Sequence, residues 1–222
     1  MKMDRVLVIC AHPDDETLGL GGTIVKHSKK GDRIFCLTFA DGETARNVSI
    51  TNIKKRQKQA IAAYKLLGIN DYDFLGYPDQ SLDKIRLLEL AQKIEKLLKK
   101  WKPNIVYTHF NGDVNQDHQQ VFEATLIATR PIPNSKIKRL ICYETPSSTE
   151  WGTEKFTPNL FVDIDKYLKT KLKAFNKYKG EVNTFPHPRS KESLIVRAKY
   201  WGTTVGLRNA EALLILREIA KK

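Results

Sequence analysis

"ICAHPDDETLGLGG", residues 9–22, decides how this chain is read. It continues the apolar run Val6-Leu7-Val8-Ile9-Cys10 and places His12, Asp14, Asp15 and Glu16 within five positions. A short aliphatic run, a polar turn and then a helical period describe a buried strand that leads into a helix. The turn itself has two readings. As a helix start, Asp14, Asp15 and Glu16 would favour the positive end of the helix dipole. As half of a metal site, a Pro-fixed turn would aim His12 and Asp15 at one point while Asp14 projects toward an attacking water. Capping accounts for neither His12 nor Pro13.

Working outward, short apolar runs alternate with helical periods. That pattern predicts an α/β fold, Rossmann-like and doubly wound, with a mainly parallel sheet flanked by helices. Strands are expected at 5–10, 33–40 ("RIFCLTFA"), 72–76 ("YDFLG") and 104–110 ("NIVYTHF"). Helices are expected at 17–30, closed by Gly31, at 51–67, closed by Gly68, at 82–101, and at 118–129 before "RPIP". Beyond Pro133 come strands "RLICYE" and "NLFVDI", a helix over 166–178, a rigid "NTFPHPRS" loop, a helix over 191–201 and a last strand "EALLIL". With 222 residues and no repeat or linker, the chain reads as one domain over 1–222.

Composition narrows the function. No signal peptide or window of about 18 apolar residues is visible, so a cytoplasmic protein is expected. Cys10, Cys36 and Cys142 are scattered in apolar runs and read as buried thiols. The net charge of +13 raises a nucleic-acid reading. However, the lysines lie opposite the apolar stripes of "IKKRQKQAIAAYKLLG", "DKIRLLELAQKIEKLLKKWK" and "DKYLKTKLKAFNKYKG", where solvated charge is the default. No specific nucleic-acid partner is expected. His27, on a lysine-rich helix end, reads as a surface residue, and Gly19, Gly21 and Gly22 as close helix-to-sheet packing rather than a dinucleotide fingerprint.

Open parallel sheets bind ligands beyond the carboxyl ends of the strands, where strand order reverses. An order 3-2-1-4 would set the loop after strand one, with His12, Asp14 and Asp15, against the loop after strand four, with Asp113, Asn115, Asp117 and His118. Two imidazoles and one carboxylate leave an open position of the catalytic kind on a metal ion. A carboxylate outside that set is then needed to take a proton, and Asp117 is suited to hold an imidazole tautomer by hydrogen bonding.

With both loops in view, "AHPDDETLGLGG" (11–22) and "DVNQDHQQVFEA" (113–124) together resemble the PIG-L/LmbE family of zinc-dependent N-acetylglucosamine deacetylases. "ETPSSTEW", "FPHPRS" and "GTTVGLRNAEAL" extend the likeness through most of the chain. The resemblance implies an LmbE-like fold, His12, Asp15 and His118 as zinc ligands, and Asp14 as general base. The same ligands could hold Fe2+ or another divalent metal. One position departs from the family. Many relatives carry a histidine three positions before the ligand histidine, credited with stabilising the oxyanion or protonating the amine; here it is Asn115. An amide donates a hydrogen bond but delivers no proton, which leaves the acid role to Asp14, His109 or His187.

Arg46 and Asp79 follow strands two and three and, with His109, Asp113, His187 and Arg189, are candidates for substrate binding. The expected function is deacetylation of an N-acetylated amino sugar carried on a small conjugate. The alternatives are a zinc amidase acting on another N-acyl or thiol conjugate, and a non-catalytic nucleotide- or nucleic-acid-binding module. The chain could also form a homo-oligomer.

Overall fold

The computed structural model describes residues 3–46 and 50–220; positions 47–49 of the predicted "DGETARNVS" loop lie outside them. In chain order the elements are β1 (Arg5–Cys10), α1 (Asp15–Lys30), β2 (Arg33–Ala40), α2 (Ile50–Leu67), β3 (Asp71–Tyr77), α3 (Leu87–Trp101), β4 (Ile105–His109), α4 (Gln116–Ala128), β5 (Arg139–Tyr143), β6 (Leu160–Asp163), α5 (Leu168–Phe175), α6 (Lys191–Thr203) and β7 (Ala210–Glu218).

β1 feeds two cores at once, because successive strand side chains point to opposite faces. Val6, Val8 and Cys10 join Leu18 and Ile24 of α1, Tyr64 of α2 and Phe175 of α5. Leu7, Ile9 and Ala11 join Leu90 and Ile94 of α3 and Val121 of α4 on the other face. A strand buried on both faces has no polar alternation, which is why its sequence is a continuous apolar run.

The seven strands form one mixed sheet in the order β3-β2-β1-β4-β5-β7-β6. β1 pairs in parallel with β2 on one side and β4 on the other, with Val6 opposite both Ile34 and Ile105. The expected 3-2-1-4 order is therefore present, and strand order reverses between β1 and β4. β7 enters between β5 and β6 and runs antiparallel to both. All three cysteines are buried free thiols. No described helix is long and apolar enough to cross a membrane.

Several boundaries differ from the sequence reading for local reasons. α3 starts at Leu87 rather than Leu82: residues Leu82–Lys84 form a 3-10 turn whose Leu82 amide donates to Asp117 Oδ1. α5 ends at Phe175, after which turns bury Tyr178 so that its hydroxyl donates to Glu16. α1 begins at Asp15, where the Asp14 carbonyl accepts the amides of Thr17 and Leu18. His27 is no surface residue: its Nδ1 lies 2.7 Å from Asp32 and its Nε2 2.9 Å from the Tyr107 hydroxyl.

The glycines of α1 permit close packing, as expected. A Cβ on Gly19 would enter the Tyr143 ring and stand 2.6 Å from the Glu144 carbonyl oxygen, and one on Gly22 would stand 2.5 Å from Ile164. Helix propensity alone favours Gly→Ala by about 1 kcal/mol. The overlap reverses that sign, because a backbone oxygen cannot swing away as a side-chain tip can. Gly19→Ala is therefore expected to lower stability by about 1–3 kcal/mol, seen as an earlier midpoint in urea unfolding; a gain would show that β5 can retreat from α1.

Candidate metal centre

The turn after β1 is tightly organised. The His12 amide donates to Asp15 Oδ2 at 2.7 Å and the Asp14 amide to Glu16 Oε2 at 3.1 Å. Asp14 adopts φ 131°, a conformation that L-residues rarely take and that costs of order 1–3 kcal/mol. Across the reversal point, Asn115 caps α4: its Oδ1 accepts the amides of Asp117 and His118 at 2.9 and 3.3 Å. This cap fixes His118 in the first turn of the helix.

The two loops meet. His12 Nδ1 lies 3.3 Å from His118 Nε2 and 3.7 Å from Asp15 Oδ2, while His118 Nε2 lies 3.5 Å from Asp15 Oδ1. One donor from each residue fits within 4.8 Å of the others, as a single ion requires. Asp15 Oδ1 is fully buried and has no hydrogen-bond partner. A buried carboxylate oxygen left bare is costly unless a cation faces it, so the donor set fits a divalent ion.

Behind each imidazole stands a carboxylate. Asp117 Oδ2 and Asp79 Oδ1 lie 3.1 and 3.0 Å from His12 Nε2, and Asp113 Oδ2 lies 3.1 Å from His118 Nδ1. Those contacts leave His12 Nδ1 and His118 Nε2 turned toward Asp15, the arrangement that orients metal-ligating histidines. Asp117 is held by the amides of Gln80 and Leu82, and Asp113 by the Ser148 and Thr149 hydroxyls and the Asn115 amide. Burial disfavours charge on both imidazoles, yet the carboxylates outweigh it and carry His12 to about 10 and His118 to about 9. The cluster calls for positive charge, which protons or a metal ion can supply.

Other expected residues fall elsewhere. Asp79 and Asp113 sit behind the imidazoles, rather than at a substrate-facing surface. Asp117 backs an imidazole, that of His12. His109 is fully buried: its Nε2 accepts the Ala11 amide at 2.9 Å and lies 3.2 Å from the Tyr143 hydroxyl, and its ring stacks on His118 at 3.9 Å. Burial pushes its pKa down to about 4, and with 0% exposure it stands as a wall behind the site. His187 accepts the Arg189 amide at 3.0 Å within its own loop.

Asp14 is 1% exposed, and its Oδ2 lies 3.0 Å from Arg56 Nη2 and 3.4 Å from Arg189 Nη1. Burial pushes its pKa up to about 6 against the pull of both arginines. Glu181 gathers three guanidiniums, Arg46 and Arg189 at 2.7 Å and Arg56 at 2.8 Å. Arg56 and Glu181 escaped the sequence reading, since Arg56 looks like one more cation of a lysine-rich helix. Its signal was positional: Arg56 lies on the stripe of Ala60, Ala63, Tyr64 and Leu67 that α2 buries.

Two outcomes follow from this geometry. Asp113→Ala is expected to weaken divalent-ion binding about 10–100-fold without unfolding the chain, measured by competition with a metal-chelating dye; unchanged affinity would mean that Asp113 does not orient His118. Arg56→Met leaves Asp14 and Glu181 short of a buried cation and should cost about 3–5 kcal/mol, read from denaturant unfolding.

The PIG-L model, described as GlcNAc-PI de-N-acetylase, matches residues 7–129. The uncharacterized deacetylase YaiS of Escherichia coli K12 is 30% identical over 81% of this chain and 92% of its own length. A probable N-acetyl-alpha-D-glucosaminyl L-malate deacetylase 2 of Bacillus anthracis is 28% identical over 83% of this chain and 84% of its own. The solved structure of N,N'-diacetylchitobiose deacetylase from Pyrococcus horikoshii superposes with a TM-score of 0.77 at 25% identity, covering 96% of this chain and 83% of that one. The matched segment holds both loops of the candidate centre, and the chain belongs to the PIG-L family of hydrolases that act on N-acetyl amide bonds.

Proposed function

We propose that this protein is a single-domain, metal-dependent hydrolase of the cytoplasm that removes the acetyl group from an N-acetylated amino sugar carried on a small conjugate. The observation that carries the reading is the bare, buried Oδ1 of Asp15 between two imidazoles, with Asp14 one residue away and outside that donor set. Relatives named for deacetylation of glucosaminyl malate and diacetylchitobiose support the amino-sugar class.

His12 Nδ1, Asp15 and His118 Nε2 would hold zinc, or iron in its place. Such an ion supplies Lewis acidity, which lowers the pKa of water and polarises a carbonyl oxygen. The protein's own residues do the rest. Asp14 takes a proton from the attacking water and returns it to the departing amine, so one carboxylate serves as base and then as acid. Arg56 and Arg189 hold its Oδ2, which leaves Oδ1 as the oxygen that moves the proton. Asn115 has its Oδ1 committed to the α4 amides, so its amide nitrogen is the part that remains to donate to a developing oxyanion. Arg46, about half exposed and tethered to Glu181, is the cation assigned to the sugar hydroxyls or the carrier.

The test is an acetate-release screen over free, nucleotide-linked, malate-linked and lipid-linked N-acetylglucosamine, with and without chelator. Chelator-sensitive release from at least one compound is expected; metal-independent release, or none together with salt-dependent oligonucleotide binding, would overturn the reading. Asp14→Asn should keep its metal and lose about 10²–10⁴-fold in kcat. His118→Ala should instead lose the metal, by elemental analysis, and with it the activity.

A further inference from the structure

At the opposite end of the sheet from the crevice, a groove of about 620 Å³ runs between the end of α3, the end of α4 and the connection from α4 to β5. Its volume falls in the range of small-molecule sites, about 300–1,000 Å³. α4 carries His118 near its start and Ala128 of the groove at its end, a separation of about 15 Å at 1.5 Å per residue. The groove therefore lies clear of the metal centre and has no part in the chemistry above.

Its lining has two chemistries. Leu98, Ala128 and Ile137 make an apolar floor, and Ile132 stands at 63% exposure between Pro131 and Pro133 as an apolar wall. That wall is preformed: the Ile132 amide donates to the Arg130 carbonyl at 2.8 Å, the Ser135 amide donates to the Ile132 carbonyl at 3.2 Å, and the two prolines fix φ. Around the floor stand Lys99, Lys102, Arg130 and Lys136. The one carboxylate there, Glu95, is already paired with Arg130 at 3.4 Å.

The carbonyl ends of α3 and α4 also attract cations, which accounts for some of the lysines. It accounts neither for the apolar floor between them nor for an isoleucine held out beside it. We propose that the groove binds a small amphiphilic anion: an apolar chain or ring seated on Leu98, Ala128 and Ile137, with one sulfate-, phosphate- or carboxylate-type head group met by Lys99, Lys102 and Lys136. Charge complementarity selects this occupant. A neutral apolar ligand would leave Lys99, Lys102 and Lys136 unanswered, and an inorganic anion would leave the floor bare.

Decanesulfonate, a weak metal ligand, is the probe, titrated calorimetrically below its micelle concentration into the full, metal-loaded chain. Saturable one-to-one binding is expected, at least tenfold tighter than that of decanol or inorganic sulfate. It should weaken tenfold or more in the Lys102→Glu/Lys136→Glu double variant, whose exposed positions leave the fold intact, and in Ala128→Phe, which fills the floor. Acetate release by the double variant should match that of the parent. Three results would overturn the proposal: no saturable binding; binding unchanged in both variants; or capture of vesicles with anionic lipid without binding of the soluble sulfonate, which would make this face a membrane contact.

Discussion

Two imidazoles face one buried carboxylate, and each has a further carboxylate at its back; the rest of the crevice depends on that arrangement. Asp15, Asp79, Asp113 and Asp117 crowd His12 and His118 in a place largely closed to water. Such a concentration of negative charge is tolerable only if positive charge enters it or if every spare lone pair is satisfied. The backing carboxylates meet the second condition: Asp117 draws on the amides of Gln80 and Leu82, and Asp113 on Ser148, Thr149 and the Asn115 amide. Asp15 Oδ1 has no hydrogen-bond partner, only His118 Nε2 at 3.5 Å, and it belongs to a donor set that could hold a metal ion. The loops after β1, β3, β4 and β5 are thereby tied to a single point.

A second network surrounds Asp14. Its backbone sits at a positive φ, and its carboxylate is gripped by Arg56 from α2 and Arg189 from the loop before α6. Glu181 keeps those guanidiniums in place and adds Arg46. Segments more than a hundred residues apart in the chain thus converge on the group proposed to move the proton. The geometry separates the adjacent aspartates: Asp15 turns inward to the imidazoles and Asp14 turns to the arginines.

α1 transmits sheet packing to this site. Its glycines let it lie against Tyr143 and Ile164, and the Tyr143 hydroxyl reaches the Ile9 carbonyl and His109. His109 in turn stacks on His118. Packing of the first helix on β5 and placement of the second imidazole are consequently one problem, and the backbone approach that only glycine allows is its solution. The groove at the far end of α4 shares a helix with His118 but none of these contacts.

The sequence by itself determined the strand-and-helix alternation, the pairing of the β1 and β4 loops, the family, and the three donors that converge. These features are local: an apolar run, a turn motif and a glycine pattern are written in consecutive residues, and the reversal rule joins the two loops without further information. Only the tertiary structure decided what stands behind the donors. Asp79, Asp113 and His109 all read as candidates for substrate binding until the fold set the two carboxylates against His12 and His118 and buried His109 against the His118 ring. Arg56 was hidden in a basic helix because its role depends on which face α2 buries, and Glu181 because Arg46 and Arg56 reach it from more than a hundred residues away in the chain. A hydrogen bond between residues far apart in the chain leaves no periodicity and no spacing; it exists only once the cores have brought the backbones together.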